Sequence, residues 1–512
     1  MAFGDVRMNR FARWESTTVK ILGSVEVLFA IILMFPLLVA VYYGEDTSPF
    51  ITIIPALLIV GSLQYLLFKE SKYFRAVNGL LMVGLSWVLV FALGMYPYIV
   101  AGMSPVDALF ESVSGLTTTG ATIMEDIESW PKSILIWRSM SQWVGGIAVI
   151  IIFMYVLPMF GMGRSIFANE LAGSGSSDYS LRMKNAAKSF IFVYGILTLI
   201  NYVLLLLCGV GLMDATCLAF TTISTGGLMC RNDSLAGFSD IVQVITIIFM
   251  FLGGVNFYLH YAAIYRRNRK VYRSNSEFKS LSAWFIGVSV IISMMILIRI
   301  GDAIHAYGMA DYLQIFKDSL FTVVSIGTST GFAVIDYMVY PDQCIILLMV
   351  VAFIGASAGS TSGGVKFGRL RIIYEFVKNS ISKTLHPNAV TSVNIDGHAV
   401  DNSTVLSAVS VFLMFFVTLV VGAVFITMFG YDILDAFGLS ICSIANGGLA
   451  FGNYGPSATL ADLNPFVKLI MIALMWIGRL EVMIALVYFT PAFWREMWLN
   501  YRAKKREKAF KE

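Results

Sequence analysis

The stretch DALFESVSGLTTTGAT, Asp107–Thr122, lies between two long apolar segments at 76–98 and 133–158. Its first half is apolar enough for a short helix, and it then stops in threonines and a glycine. Such backbone cannot lie bare in lipid, where each unpaired N–H or C=O costs several kcal/mol. It is tolerated at membrane depth only when buried in protein or lining a watery cavity. The stretch recurs as DATCLAFTTISTGGL (214–228), DSLFTVVSIGTSTGF (318–332) and DAFGLSICSIANGGL (435–449). Aligned without gaps, the copies pair Asp107 with Gly120, Asp214 with Gly227, Asp318 with Gly331 and Asp435 with Gly448. Each copy follows one apolar run and precedes another.

The surroundings fit a membrane. The chain has 512 residues, of which 58% are hydrophobic and 13% charged, whereas a soluble domain has about 25% charged residues. Apolar runs long enough to span lie near 21–43, 51–68, 76–98, 133–158, 188–212, 241–264, 280–300, 342–378, 403–430 and 465–490, given that a span needs about 20 residues. Arg7, Arg10 and Arg13 precede the first run, but no A-x-A-like cleavage site follows, so it reads as a retained helix.

Basic residues collect in alternate loops (69–75, 182–188, 265–273) and in the tail, while acids collect in the others (Glu45, Asp46, Glu125, Asp126, Glu128, Asp302, Asp311, Asp432, Asp462). Basic loops stay cytoplasmic, which places both termini there. The outer acids read equally as a solvated rim or as a cation-attracting vestibule. The segment 161–180, rich in Gly and Ser, reads as a flexible loop.

The expected fold is an all-α polytopic membrane protein. Two N-terminal helices (1–75) precede four helix–pore loop–helix modules (76–187, 188–273, 274–385, 386–512) in pseudo-fourfold arrangement. Four re-entrant segments around one axis make a ring of backbone carbonyls, which can replace the hydration shell of an alkali cation. Aspartate at each helix start favours the positive end of the dipole, leaving the negative ends toward a cation. Glycine permits the angles that turn carbonyls toward an axis.

The eighth span is abnormal. FIGASAGSTSGGVKFGRL (353–370) breaks an apolar helix with small residues, among them Gly355, Gly359, Gly363 and Gly364, and propensity argues against continuous helix there. Corresponding spans carry only Gly145-Gly146, Gly253-Gly254 and Gly478-Arg479, and Gly363-Gly364 is assigned to the same register. The broken segment reads as a gate, or else as close-packing positions between helices. Arg479, inside an apolar span, is expensive unless it faces a cavity or a partner. It reads as a barrier to cations and an anchor for the loop, or as a structural pair for Glu481 or buried carbonyls, and Lys366 is its candidate assistant.

Five cysteines without a C-x-x-C pair suggest neither a disulfide framework nor a zinc site, and the four histidines are scattered. No cluster of acid–base or metal-binding residues indicates an enzyme, and nothing indicates nucleic-acid binding. Inverted repeats, usual in transporters of organic solutes, are absent, because all four modules run the same way.

At ESVSGLTTTGAT, SIGTSTGF, SIANGGL and GRLEVMIALVYFTPAFWR (478–495), the chain resembles the TrkH/TrkG type of the Trk/Ktr/HKT cation transporter superfamily, over nearly its whole length. The fourth loop, IANGGLAFG, departs most from the type. The resemblance implies a potassium pathway with a filter over Thr117–Gly120, Ser224–Gly227, Thr328–Gly331 and Ala445–Gly448. Its ion-contacting carbonyls are those of Thr118, Thr119, Thr225, Gly226, Ser329, Thr330, Asn446 and Gly447. Glycine at all four of Gly120, Gly227, Gly331 and Gly448 goes with K⁺ over Na⁺; Na⁺-coupled or less selective monovalent transport is the alternative. The resemblance further implies an intramembrane gating loop, a homodimer in a bacterial cytoplasmic membrane, and a cytoplasmic TrkA-type nucleotide-binding regulatory subunit. Potassium is cargo, and no cofactor is expected in this chain.

Overall fold

The computed structural model of the chain describes residues 13–69, 76–155, 176–265, 267–268, 270–300, 309–387 and 392–499. Most of the 161–180 segment and the basic tail lie outside them. The chain divides into two compact units: Met1–Ser112 with Pro131–Trp137 and Met483–Glu512, and Val113–Trp130 with Arg138–Val482.

In the first unit Arg13–Tyr43 packs along Ile53–Leu67. The crossing is close because it is made at glycines: a Cβ added at Gly23 or at Gly61 would lie 2.7 Å from the other's carbonyl oxygen. Small residues let helix backbones approach in this way.

Each of the four repeats contributes three elements. A long helix comes first: Ala76–Val100, Ser176–Leu207, Ser276–Ile300 and Asn402–Thr427. A shorter helix follows: Pro105–Leu116, Leu212–Ile223, Met309–Gly327 and Ile433–Ile444. A third begins at Lys132, Asp240, Asp342 and Pro465. Among the described residues six helices are long and apolar enough to cross a membrane, or seven if one bent pair counts as a span. The expected spans 133–158, 342–378 and 465–490 fall instead on Lys132–Tyr155 and on two interrupted helices. The one departure from all-α structure among the described residues is a hairpin pairing Asn394–Ile395 with His398–Ala399.

The short helices start for local reasons. Pro105 occupies the first turn of the first one, and Ser104 and Asp107 bond reciprocally: Ser104 Oγ donates to the Asp107 carboxylate at 2.7 Å and accepts from its backbone N–H at 3.3 Å. Ser104 thus caps the helix, satisfying one of its free N–H groups. The third repeat differs from expectation. Its helix extends from Met309, so Asp318 sits inside it rather than at its start. MADYLQIFK contains no residue that would break a helix before Asp318.

Interruption of the third helix, expected only in the third repeat, occurs in three. In the second repeat Asp240–Gly254 and Phe257–Ile264 are bent by 100°. Asn256 caps the new start, accepting from Tyr258 N at 2.9 Å. In the third, the helix stops at Gly355 and resumes at Phe367; in the fourth it stops at Arg479 and resumes at Val482. The expected register of Gly363-Gly364 is also corrected. Gly145, Gly253 and Gly478 stand equally far from the starts of their helices, and the residue at that distance from Asp342 is Gly355.

Candidate functional site: a ring of four helix ends

The short helices end identically. Backbone N–H groups of Thr119, Gly226, Thr330 and Gly447 reach back to the carbonyls of Ser114, Thr221, Ser325 and Cys442 at 2.8, 2.9, 2.8 and 2.9 Å. Inside these bonds, Thr118, Thr225, Ser329 and Asn446 donate to Gly115, Thr222, Ile326 and Ser443 at 2.9, 3.1, 3.0 and 3.2 Å. The pair of bonds is a Schellman motif, whose left-handed residue is usually glycine. Here it is Thr118, Thr225, Ser329 or Asn446, with φ of 53°, 52°, 55° and 50°. Non-glycine residues held there cost on the order of 1–3 kcal/mol each and cluster at functional sites. Two residues on, Gly120, Gly227, Gly331 and Gly448 are left-handed again, with φ of 87°, 88°, 81° and 74°.

These segments close on one another in cyclic order. A Cβ added at Gly120 would lie 2.1 Å from Gly226 O; at Gly227, 2.0 Å from Thr330 O; at Gly331, 2.7 Å from Gly447 O; and at Gly448, 2.5 Å from Thr119 O. Each glycine thus admits the carbonyl of the next repeat, and the fourth returns to the first. All twelve residues named from the sequence as filter positions are brought together in the second unit. Thr117, Thr118, Thr119, Ser224, Thr225, Thr328, Ser329, Thr330 and Asn446 are buried, and the buried Thr118 hydroxyl has no hydrogen-bond partner.

The interrupted part of the third repeat, 355–366, lies against the ends of three of these helices. Thr361 Oγ1 donates to Ile223 O at 3.1 Å and receives a bond from Thr225 Oγ1 at 3.1 Å. Gly363 N donates to Ser329 Oγ at 2.6 Å. A Cβ at Gly363 would lie 1.8 Å from Ala445 O. The bend of the second repeat docks on the same segment: Ser357 N donates to Gly254 O at 3.0 Å and Phe257 N to Gly359 O at 3.1 Å. Gly355, Gly359 and Gly364 are all left-handed.

Arg479 is 5% exposed. Its Nη1 donates to Thr361 O at 2.8 Å, while Nε and Nη2 have no partner. Glu481, the alternative partner for Arg479, instead pairs with Arg369 at 2.8 Å, and Glu481 is itself left-handed. Lys366 is buried at the start of the next helix, also left-handed, and its Nζ donates to Ser362 O.

Sequence reasoning missed Gln142 and Arg138. Both are buried: Gln142 lies against the second segment, and Arg138 joins the first and second, donating to Thr122 Oγ1 at 2.9 Å and to Met229 O at 3.1 Å. An arginine inside the 133–158 run was a signal of the same kind as Arg479. Against the expectation of no disulfide framework, Cys217 and Cys230 are joined, with Cα atoms 6.6 Å apart. The bridge ties the second short helix to the chain just beyond Gly227. Closing a loop of this size contributes about 3 kcal/mol. Reduction is therefore expected to accelerate amide exchange over 224–230 by about a hundredfold, as read by hydrogen-exchange mass spectrometry. Unchanged exchange would mean that the fold holds the segment without the bridge. Among the described residues no group of three His, Cys, Asp or Glu could hold a metal ion.

A family model described as a cation transport protein, TrkH, matches residues 47–496. The Trk system potassium uptake protein TrkH of Escherichia coli K12 is 32% identical over 93% of this chain and 99% of its own. TrkG of the same organism, also described as a Trk system potassium uptake protein, is 30% identical over 91% of this chain and 96% of its own. The crystal structure of the potassium transporter TrkH from Vibrio parahaemolyticus superposes with a TM-score of 0.84 at 29% identity, covering 94% of this chain and 99% of that one. A multi-span helical chain, matched to this family over most of its length and closing four repeats into one ring, belongs to the TrkH family of cation transport proteins.

Proposed function

We propose that the chain carries potassium into the cell, through a filter formed by the four ring segments. The observation that supports this best is the cyclic fit of Gly120, Gly227, Gly331 and Gly448 against Gly226, Thr330, Gly447 and Thr119. Left-handed residues alternate with ordinary ones along each segment, a pattern that turns successive carbonyls to one side. Four such segments supply the oxygen ligands that a K⁺ ion needs once its water is removed. The carbonyls of Thr118, Thr119, Thr225, Gly226, Ser329, Thr330, Asn446 and Gly447 are the proposed ligands. The four helices direct their negative ends toward the ion. The named relatives are potassium uptake proteins, which favours K⁺ as cargo.

The segment with Gly355, Gly359, Gly363 and Gly364 is the proposed gate, with Arg479 and Lys366 placing positive charge beside it. The Arg369–Glu481 pair is positioned to latch the chain on either side. The module boundaries given above, a homodimer in a bacterial cytoplasmic membrane, cytoplasmic termini and control by a nucleotide-binding TrkA-type subunit complete the reading.

Reconstitution in liposomes tests it. Radioactive rubidium uptake should be blocked by external K⁺ and not by equimolar Na⁺, with the regulatory subunit added if the chain alone is closed. Uptake blocked equally by both ions, or driven only by a Na⁺ gradient, would replace this reading with the less selective or Na⁺-coupled one.

A further inference from the structure

The four ring segments are not braced alike. In the first and third, threonines two apart bond to each other: Thr117 with Thr119 at 2.8 Å and Thr328 with Thr330 at 2.7 Å between hydroxyls. A serine of the helix also reaches past the glycine, Ser114 Oγ to Ala121 O at 2.5 Å and Ser325 Oγ to Phe332 O at 2.6 Å. The second segment has neither brace. Gly226 stands where the first and third segments have Thr119 and Thr330 and the fourth has Gly447, and Thr221, at the serine position, donates back to Cys217 O at 2.8 Å.

Its support comes from a different repeat. Gln142 Nε2 donates to Gly226 O at 2.6 Å, and Gln142 Oε1 accepts from Leu228 N at 3.0 Å. The amide therefore grips the chain on both sides of Gly227. Its orientation is unambiguous, because a backbone carbonyl only accepts and a backbone N–H only donates. Gln142 is fully buried. A Cβ at Gly226 would lie 2.4 Å from Gln142 Cδ, so the glycine and the glutamine are fitted to each other. The positions equally far along the corresponding helices are Met250, Ala352 and Met475, none of which carries a polar side chain.

We propose that Gln142 is a positioning residue of the second filter segment, fixing the Gly226 carbonyl and so contributing to the choice of ion. This rests on the ring being the selectivity filter. One lone pair of the Gly226 oxygen is committed to Gln142, and the other remains for a cation. Without the amide, that carbonyl is free to turn and close on a smaller ion such as Na⁺. The glutamine does from outside what the threonine pairs do within the first and third segments.

The test is rubidium uptake in liposomes with Na⁺ as competitor, for Gln142→Met, Gln142→Ala, Gly226→Thr, the double variant Gln142→Ala/Gly226→Thr, and Gly120→Ser. Loss of one hydrogen bond corresponds to about fivefold, so Na⁺ competition should strengthen by about that factor in Gln142→Met and Gln142→Ala. Gly226→Thr alone should fail, since its side chain meets Gln142. In the double variant the new hydroxyl has room to pair with Ser224, as Thr119 pairs with Thr117, and discrimination should recover beyond that of Gln142→Ala. Should the single Gln142 variants carry no ion at all, recovery in the double variant decides for the proposal and continued failure against it. Unchanged discrimination in both Gln142 variants, with Gly120→Ser impaired, would reduce Gln142 to packing. Unchanged discrimination in Gly120→Ser as well would remove the filter itself.

Discussion

Gly120→Ser is expected to abolish selective uptake. The new Cβ would meet Gly226 O at 2.1 Å, backbone against backbone, at a φ of +87°. Neither obstacle can be relieved by turning a side chain. Overpacking of this kind costs about 1–3 kcal/mol, and a side chain in a left-handed conformation about 1–2 kcal/mol more. Together they correspond to a fall in rubidium flux of between about thirtyfold and a few thousandfold. A partial effect would take the form of Na⁺ entry, as the first and second segments separate. The measurement is uptake per reconstituted chain, with size-exclusion behaviour confirming that the variant is folded. Full, selective uptake would show that ions do not pass this ring.

Arg479→Ala is expected to do the opposite and raise uptake in the resting state. Arg479 makes one hydrogen bond, to Thr361 of the interrupted segment, and leaves two nitrogens unpartnered. At an effective dielectric of about 20, like unit charges about 8 Å apart repel by about 2 kcal/mol, which sets the scale of the expected rise at about thirtyfold in rate. Arg479→Lys separates the two roles assigned to the residue. Lysine keeps the charge but not the planar fork, so low resting uptake in Arg479→Lys beside high uptake in Arg479→Ala would identify the charge as the barrier. High uptake in both would identify the anchor on Thr361. Low uptake in both would remove Arg479 from the gate.

The ring was legible because it is written locally. An aspartate, a short apolar run and a glycine at constant spacing recur between apolar spans, and the Schellman ends follow from residues within one turn. The segment 355–366 was legible for the same reason, as a run of small residues where a helix should continue. Other features depend on contacts distant in sequence. The bend in the second repeat is capped by Asn256, but its docking on Gly359 joins two repeats. Glu481 breaks the fourth repeat in a left-handed conformation while paired with Arg369. Gln142 looks like one polar residue in an apolar helix until Gly226 is seen beside it. The Cys217–Cys230 bridge spans a helix and a turn whose closeness no spacing announces. The early start of the third repeat's shorter helix, at Met309, is not visible from the repeat, because Asp318 recurs at the same spacing without marking a helix start.

Two hydroxyls of the ring are shared with the interrupted segment: Ser329 accepts from Gly363 N, and Thr225 donates to Thr361. If that segment is the gate, it cannot withdraw without releasing bonds made by residues of the ring. Linkage then runs both ways, because a coupling free energy between two sites is the same seen from either. Whatever factor loop withdrawal applies to ion affinity in the ring, an ion seated in the ring applies to loop withdrawal. External potassium would thus be an effector of the opening through which it passes, with no separate sensor required.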